Sequence, residues 1–368
     1  MFQQILNRFW VRLTGNIDGP LLAIALVLMA FGIATVYSAT YDSNNRATGQ
    51  LLNLGIGVAV MWALAQTPPQ KLMRFAVPLY IVGVILLILV FLVGVKVNGA
   101  RRWLPLGFTR IQPAEILKIA MPLMLAWYFH KYESGLRFRH FVIAGLLLLI
   151  PFGLIAKQPD LGTAILVGAS GFYVIFFAGL PWKAIIGMII AGASVAPFAW
   201  TMLHGYQRKR ILTLIDPTTD PLGSGYHIIQ STIAMGSGGR FGKGWLEGTQ
   251  TRLEFIPERH TDFIFAVFSE ERGLLGNSIL LSLYLLLIAR GLMISANAST
   301  LFARVLGGSI TLSFFTYAFV NMGMVSGILP VVGVPLPFMS YGGTALVTLF
   351  LGLGILMSIH SHRMLVKK

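Results

Sequence analysis

The stretch that decides the fold is residues 74–95, with the sequence RFAVPLYIVGVILLILVFLVGV. It contains no charged residue after Arg74, and it is long enough for an α-helix to cross a bilayer, which takes roughly 20 apolar residues. Nine further stretches of the chain are apolar over a comparable length. Together they predict ten membrane-spanning helices, at residues 18–39, 50–66, 74–95, 113–130, 140–156, 161–179, 183–203, 262–290, 301–326 and 339–361.

The composition of the whole chain supports this class. Hydrophobic residues make up 56% and charged residues 11% of the 368 residues, whereas soluble domains carry about 25% charged residues. Soluble and disordered chains are therefore excluded, and we predict an all-α integral membrane protein with a single domain over residues 1–368. The absence of cysteine excludes disulfides, thiolate metal sites and cysteine nucleophiles.

An even number of spans predicts that both termini lie on the same side of the membrane. The basic residues of the short segments between alternate spans, with Arg8, Arg12, Lys367 and Lys368 near the termini, indicate that this side is the cytoplasm. We expect the first span to be retained rather than cleaved as a signal peptide, because its apolar run is long and nine more follow. The segment 204–262, between spans seven and eight, is then a large outer loop, which its aromatic residues and glycines predict to be ordered.

The net charge of +15 requires an explanation of its own. In a soluble protein it would suggest nucleic acid, but in a membrane protein it fits membrane orientation, anionic lipids or an anionic substrate. Most of the 13 acidic residues lie between Asp216 and Glu271. Chemistry that requires carboxylates is therefore predicted at the outer face, in or beside segment 204–262.

Two short motifs place ionisable residues at the starts of predicted spans. In residues 112–118 (QPAEILK), Glu115 and Lys118 stand one helical turn apart, which fits either a structural ion pair or the polar wall of a cavity. In residues 157–163 (KQPDLGT), Asp160 fits either a helix N-cap or a carboxylate that holds a cation or a basic partner.

The densest set of ionisable residues is 253–271, with the sequence LEFIPERHTDFIFAVFSEE. Asp262 lies where the polar loop enters an apolar helix, so Thr261 or Asp262 could simply cap that helix. Partial burial would raise the pKa of Asp262 and neighbouring cations would lower it, which would suit a general base. Glu270 and Glu271 lie deeper and require a polar cavity or a partner.

Cations and irregular backbone form two further candidate features. Arg208 and Arg210 lie in the outer loop, and Arg240 and Lys243 flank glycines in residues 236–244 (GSGGRFGKG), where exposed N–H groups could form an anion cradle. The spacing is not that of a P-loop. A second feature is the proline- and glycine-rich run LPVVGVPLPFMSYGGT over residues 329–344, which predicts a rigid irregular loop that is buried in protein or faces a wet cavity.

Part of this run resembles a known family signature. Residues 330–343 (PVVGVPLPFMSYGG) resemble the signature of the SEDS family (shape, elongation, division and sporulation), and residues 112–118, 158–162 and 257–263 resemble its other blocks in the same order. The resemblance covers nearly the whole chain. Thr344 stands where the family often has serine, which keeps the hydroxyl group. The sequence GTQ ahead of the third block and the short termini resemble the elongation branch more than the division branch.

The resemblance implies a peptidoglycan glycosyltransferase that polymerises lipid II at the outer face of the bacterial cytoplasmic (inner) membrane during cell elongation. The family's catalytic aspartate corresponds to Asp262. The chemistry agrees with the residues, because an inverting displacement of undecaprenyl diphosphate requires one base and cations for the leaving group. The expected substrate-binding residues are Arg208, Arg210, Arg240 and Lys243 at the diphosphate, with Glu115, Lys118, Asp160, His260 and Ser340 around the cavity.

The resemblance also implies partners. The diphosphate is compatible with a divalent cation (Mg or Mn), although no ligand set is evident. Crosslinking requires a separate transpeptidase, a class B penicillin-binding protein, because the chain has no Ser-x-x-Lys block of that type. Other proteins of the elongation complex are expected as well, whereas nucleic acid is not.

Two other functions fit a polytopic membrane protein. A lipid II flippase would favour polar groups at the membrane midplane and gates on both sides, whereas the acidic residues here crowd at one face. A non-catalytic scaffold for a penicillin-binding protein would keep its function after Asp262→Asn.

Overall fold

The computed structural model describes residues 15–40, 44–97, 100–105, 110–202, 205–220, 223–256 and 258–363. The helices of this part of the chain are α1 Gly19–Ala39, α2 Asn44–Ala65, α3 Pro69–Val93, α4 Pro113–Lys131, α5 Phe138–Lys157, α6 Leu161–Phe177, α7 Trp182–Met202, α8 Gly205–Ile215, α9 Ser224–Ser237, α10 Thr249–Arg252, α11 Ile264–Ala296, α12 Leu301–Val325 and α13 Gly343–Ser361. Each of the ten predicted spans coincides with one long helix. Seven of the described helices are long and apolar enough to cross a membrane: α1, residues 48–65 of α2, α3, α5, α11, α12 and α13. The basic residues predicted near the two termini lie outside the described residues.

The helices begin where the sequence supplies suitable caps. Proline occupies the first turn of α1, α3 and α4, where its missing N–H group leaves no hydrogen bond unmade. Close packing relies on small residues, as between α2 and α13, where a Cβ atom on Gly354 would lie 2.6 Å from the Met61 carbonyl oxygen. Most residues of α12 and α13 are buried, so these two helices form the centre of the bundle.

A small antiparallel sheet connects α3 to α4, which the all-α prediction missed. Its strands are β1 Val95–Val97, β2 Ala100–Pro105 and β3 Arg110–Ile111, in the order β1-β2-β3. The segment is short and polar, so its period-2 pattern is too brief to be recognised in the sequence. The sheet carries Arg102 to the start of α6, where its guanidinium group donates to the Pro159 carbonyl oxygen.

The predicted large loop is ordered wherever it is described, and it contains α8, α9, α10 and a 3-10 turn at Pro217–Thr219. Its glycine-rich turn packs against a break in α11 at Gly273, whose φ of 63° is in the left-handed region. A Cβ atom on Gly273 would lie 2.3 Å from the Gly242 nitrogen, so only glycine fits there. The loop and α11 therefore form one packed unit.

The predicted anion cradle in this turn is wrong. The N–H groups of Gly242, Lys243 and Gly244 donate to the carbonyl oxygens of Gly238, Glu270 and Glu271 at 2.8, 3.0 and 3.2 Å. The first of these donors closes the turn on itself and the other two bind α11, so none of the three is available to an anion.

An ion cluster fastens three helices at another place in the bundle. Asp18, the N-cap of α1, is 1% exposed and accepts two hydrogen bonds from the Arg290 guanidinium group of α11. The His360 Nε2 atom of α13 lies 3.4 Å from the same carboxylate. The cluster therefore joins the N-terminal end of α1 to the C-terminal parts of α11 and α13.

Candidate active site

Asp262 lies in the turn that leads into α11, two residues before the helix begins at Ile264. The N-cap is Phe263, which makes no side-chain capping bond, so the alternative that Thr261 or Asp262 caps the helix is wrong. Burial, and after it the neighbouring Glu258 carboxylate, raise the pKa of Asp262 to about 6. Among the described residues, no hydrogen bond reaches the Asp262 carboxylate. It is therefore a basic carboxylate whose lone pairs remain available.

The proline-rich segment 326–342 between α12 and α13 packs directly against this turn. The Ser340 hydroxyl donates to the Thr261 carbonyl oxygen at 2.7 Å and accepts from the Leu336 N–H group at 2.8 Å. The Tyr341 N–H group donates to the His260 carbonyl oxygen at 2.9 Å. The prediction of an irregular loop that is buried in protein is confirmed for residues 336–340, and Ser340 contacts the backbone beside Asp262.

Gly333 brings the same loop to the Asp262 carboxylate itself. Its φ of 71° is in the left-handed region, and a Cβ atom there would lie 3.1 Å from Asp262 Oδ2. On its other side the loop touches the start of α6, since a Cβ atom on Gly162 would lie 2.6 Å from the Val332 carbonyl oxygen. The loop therefore lies between the start of α6 and Asp262.

Asp160 begins α6 and connects it to the sheet. Its carboxylate accepts from the Thr163 N–H group at 3.2 Å, which confirms the predicted N-cap. It also accepts from Gln112 Nε2 at 2.8 Å, and Arg102 Nη1 lies 3.8 Å away. The cap and the cation contact that were predicted as alternatives therefore occur together.

Glu115 and Lys118 form the predicted ion pair on α4, with 2.6 Å between Oε1 and Nζ. Thr348 Oγ1 of α13 donates to the other oxygen of Glu115 at 3.2 Å, and Lys118 Nζ lies 5.3 Å from the centre of the Tyr317 ring on α12. Tyr317 stands one helical turn before Asn321, which contacts the Asp262 backbone. Helix α12 thus links this pair to the turn that carries Asp262.

A cavity of about 620 Å³ opens beside this ion pair, between α2, α3, α4 and α13. Most of its wall is apolar, and its polar part consists of Asn53, Arg110, Gln112, Glu115, Thr344 and Thr348. Glu115 therefore serves both predicted roles, because it is a member of an ion pair and part of a cavity wall.

The four predicted diphosphate contacts have different surroundings. Arg208 and Arg210 lie on α8, and Arg208 donates to the Thr201 carbonyl oxygen at 2.5 Å. Arg240 is exposed and lines an apolar groove of about 600 Å³ along α11. Lys243 forms an ion pair of 2.8 Å with Glu270, which is completely buried.

Glu270 and Glu271 both have the partners that their depth requires. Glu270 accepts from Lys243 and from the N–H groups of Gln250 and Thr251 at 2.9 and 3.2 Å. Glu271 accepts from the Ser38 hydroxyl and from the Leu246 N–H group. These two carboxylates hold the outer loop against α11, and they are not part of the turn around Asp262.

The structure adds one cation that the motifs did not indicate. Arg46 Nη1 of α2 lies 3.5 Å from His260 Nδ1, and the His260 ring is 5.8 Å from that of Tyr341. Burial, and then Arg46, lower the pKa of His260 below its ordinary value. Arg46 belongs to a different helix from the Asp262 turn, so no local pattern could have associated them. Asn321, by contrast, carried a signal, because a polar side chain in an apolar span is costly unless it is used.

No group of three or more His, Asp or Glu side chains suited to a metal ion occurs in the part of the chain that the structure describes. The turn thus brings together one carboxylate of raised pKa, the Glu258 carboxylate close by, and His260 with Arg46, whereas the apolar cavity lies beside the Glu115–Lys118 pair.

Fold and site together define a polytopic membrane protein with a carboxylate-centred polar site where a loop enters the bundle. The family model FtsW/RodA/SpoVE, described as "Cell cycle protein", matches residues 20–365. The chain is 50% identical to "Peptidoglycan glycosyltransferase MrdB" of Escherichia coli (strain K12) over 361 residues, which cover 98% of this chain and 97% of that protein.

Two solved structures agree with this assignment. One, described as "Structural coordination of polymerization and crosslinking by a peptidoglycan synthase complex", matches with a TM-score of 0.82 and 35% identity over 95% of this chain and 99% of the other. The rod shape determining protein RodA of Thermus thermophilus matches with a TM-score of 0.72 and 30% identity over 95% and 98%. The chain belongs to the FtsW/RodA/SpoVE family, which is the SEDS family, so the predicted membership is confirmed. It is a multi-pass protein of the bacterial inner membrane.

Proposed function

We propose that this chain is a peptidoglycan glycosyltransferase that polymerises lipid II at the outer face of the inner membrane during cell elongation. The activity is the one named for MrdB, with which the chain shares 50% identity over nearly its full length. The elongation role is supported by the similarity to a rod shape determining protein over 95% of the chain.

Asp262 is the general base in this proposal. The acceptor sugar hydroxyl must lose a proton as it attacks the anomeric carbon of the donor, and a base works best when its pKa is near the working pH. The observation that carries the assignment is the pKa of Asp262, which burial and Glu258 raise to about 6. The leaving undecaprenyl diphosphate departs as an anion, so one base suffices for an inverting displacement.

Cations stabilise the diphosphate as it departs. Arg208, Arg210 and Arg240 remain candidates for this contact, and Arg46 joins them because it lies beside His260. Lys243 is a weaker candidate, since its ammonium group already neutralises the buried Glu270 carboxylate. A divalent cation, Mg or Mn, would take its ligands mainly from the diphosphate.

The cavity between α2, α3, α4 and α13 suits a lipid substrate. Its apolar wall would hold part of a polyprenyl chain, and its polar residues, Glu115 among them, would face the head group. Lys118 and Asp160 would then keep that polar part in shape through their contacts with Glu115 and Gln112.

The ten long helices would all span the membrane, with both termini in the cytoplasm. This topology puts Asp262 and the loop 204–262 outside, where lipid II is polymerised. A class B penicillin-binding protein is the proposed partner, since the synthase complex matched above is described as coordinating polymerisation with crosslinking.

The test is polymerisation of purified lipid II by the purified Asp262→Asn variant, with polymer length followed on gels. We expect no polymer above background, because the amide cannot accept the proton. Asp216→Asn is the matched control, since Asp216 is an exposed aspartate of the same outer loop whose side chain, among the described residues, bonds within its own turn. Polymer formation by a folded Asp262→Asn variant at the wild-type rate would refute the assignment and favour a scaffold. Translocation of lipid II without polymer by the wild type would favour a flippase.

A further inference from the structure

Three consecutive carbonyl oxygens of the turn that carries the proposed base each accept a hydrogen bond from another element. The first, second and third carbonyl groups of segment 260–262 accept from the Tyr341 N–H group at 2.9 Å, Ser340 Oγ at 2.7 Å and Asn321 Nδ2 at 2.8 Å. Two of the donors come from the proline-rich loop and one comes from α12. The turn is therefore held through its backbone, while the Asp262 carboxylate itself accepts no bond from the described residues.

Asn321 is the donor that cannot be explained by loop packing alone. It is 0% exposed on α12, and its Nδ2 atom donates both to the Asp262 carbonyl oxygen and to the Val334 carbonyl oxygen at 2.7 Å. Its Oδ1 atom is buried and has no hydrogen-bond partner among the described residues. A buried amide with an unpaired oxygen costs stability relative to an apolar side chain of the same shape. The presence of an amide here, at a cost in stability, therefore points to a role in the site.

The two carbonyl groups that accept from Asn321 belong to two different segments near the carboxylate, the Asp262 turn and the proline-rich loop. Val334 follows Gly333, and a Cβ atom on Gly333 would lie 3.1 Å from Asp262 Oδ2. The Asn321 amide nitrogen thus joins the Val334 part of the proline-rich loop to the Asp262 end of the turn, in addition to the bonds that Ser340 and Tyr341 make to the rest of the turn. Without that nitrogen, this end of the turn would lose its bonded link to the Val334 part of the loop, and the carboxylate would move with it.

We propose that Asn321 is a positioning residue for Asp262, and that Ser340 holds the same turn from the loop side. This inference rests on the proposed function, in which Asp262 is the base. A base must stand within hydrogen-bond reach of the proton that it removes. A misplacement of about 1 Å can lower a rate by about 100-fold, so a residue that never touches the substrate can control turnover.

The test compares Asn321→Leu with a matched control on the same helix. Leucine has the same branched arrangement of four side-chain heavy atoms, although its methyl groups are larger, and it lacks the donor, so the change removes the two hydrogen bonds; the folded fraction reports any cost in packing. Ser309→Ala is the control, because Ser309 is also buried on α12 and donates to another segment, the Ser170 carbonyl oxygen at 2.7 Å. Each full-length variant is purified in detergent, its folded fraction is measured by thermal melting, and lipid II polymerisation is measured per folded molecule.

We expect Asn321→Leu to lower kcat on the order of 10- to 100-fold while KM for lipid II changes less than about twofold. The acid midpoint of its pH–rate profile should also move, because the surroundings of Asp262 change. Ser309→Ala should keep the wild-type kcat per folded molecule and the wild-type midpoint. Ser340→Ala provides the second variant if Asn321→Leu does not fold, and it should show the same fall in kcat.

A merely structural role predicts a different result. Wild-type kcat per folded molecule and an unmoved acid midpoint, in Asn321→Leu or in Ser340→Ala where the former does not fold, would overturn the inference. An active Asp262→Asn variant would instead overturn the proposed function. An inactive Asp262→Asn variant combined with a fully active Asn321→Leu variant would overturn the positioning role alone.

Discussion

The pH dependence of polymerisation gives a direct test of how Glu258 and burial act on the base. Asp262 must be ionised to accept a proton, so the rate should rise with pH through a midpoint at about 6. Glu258→Gln removes the second of the two causes that raise this pKa. Because burial is the larger cause, Glu258 supplies less than half of the rise from 3.8 to about 6. The midpoint should therefore fall by less than about 1 pH unit.

A lower midpoint in Glu258→Gln means that this variant should be relatively more active at acid pH, which can be measured. With a pKa of about 6, roughly one-tenth of Asp262 is ionised at pH 5, and with a pKa of about 5 half of it would be. Glu258→Gln should therefore raise the rate at pH 5, relative to its own rate at pH 7.5, by up to about fivefold. The backbone of the turn should remain intact, because glutamine keeps an oxygen that can accept the bond from Thr261 Oγ1.

The assay is the initial rate of lipid II polymerisation from pH 5 to pH 8 at constant ionic strength. Glu247→Gln is the control, since Glu247 is an exposed carboxylate of the same loop that does not act on the pKa of Asp262. His260→Asn separates the other group that titrates nearby, because the acid midpoint should stay near pH 6 without the imidazole. A midpoint that is unchanged or higher in Glu258→Gln would refute the reasoning, and a midpoint lost with His260 would assign it to the imidazole.

Two further predictions follow from close contacts. Gly333→Ala forces a left-handed φ on alanine, at a cost of roughly 1–2 kcal/mol, and its Cβ atom would press on the Asp262 carboxylate, so kcat should fall on the order of tenfold in the same polymerisation assay. The control is Gly145→Ala, where a Cβ atom meets nothing within 4 Å, and it should be neutral. Equal activity of the two variants would contradict the expected contact. Lys243→Met leaves the buried Glu270 carboxylate without its ion-pair partner, so the free energy of unfolding, followed by thermal melting, should fall by about 3–5 kcal/mol. The added change Glu270→Gln should restore most of this loss. An unchanged melting temperature in the single variant would show that the pair contributes little to stability.

The helices of the predicted spans could be predicted from the sequence because each span is an apolar run that can be recognised without knowledge of its neighbours in the fold. Residues 74–95 needed no partner to be recognised, and α3 duly covers Pro69–Val93. The sheet was missed because its strands are too short and polar to show a pattern. The same limit applies to the site, where Asp262 could be singled out from its local sequence but Arg46 could not. Contacts that join α2 to the Asp262 turn depend on packing, which no local spacing encodes.

Where the sequence was compatible with two roles for a residue or segment, contacts between distant parts of the chain decided between them. Asp160 proved to be both a cap and a cation partner, because the sheet brings Arg102 to it. The composition of the glycine-rich turn predicts an anion cradle. The Gly242 N–H group is instead bonded within the turn, and those of Lys243 and Gly244 are bonded to carbonyl groups of α11 just before its break at Gly273.

Asp262 differs from three other aspartates of this chain that stand at the start of a helical turn. Asp18, Asp160 and Asp216 each accept a hydrogen bond from a main-chain N–H group of the turn that follows. At Asp18, burial raises the pKa, but the bonds from Arg290 and from the Leu21 N–H group, together with the charges of His360 and Arg290, lower it by more, so its pKa lies below the ordinary value. Donors of this kind favour the charged form and so make a carboxylate a weaker base.

A base that is oriented by direct hydrogen bonds would therefore lose the basicity that its task requires. In this chain the two requirements are met by different atoms. The carbonyl groups of segment 260–262 take the bonds that fix the position of the turn, whereas the Asp262 carboxylate stays outside the helix cap, where burial and Glu258 raise its pKa. Orientation through the backbone leaves the carboxylate lone pairs for the substrate proton. This separation explains why the buried amide on α12 and the proline-rich loop donate their hydrogen bonds to the carbonyl oxygens of the turn and none to the carboxylate oxygens of the proposed base.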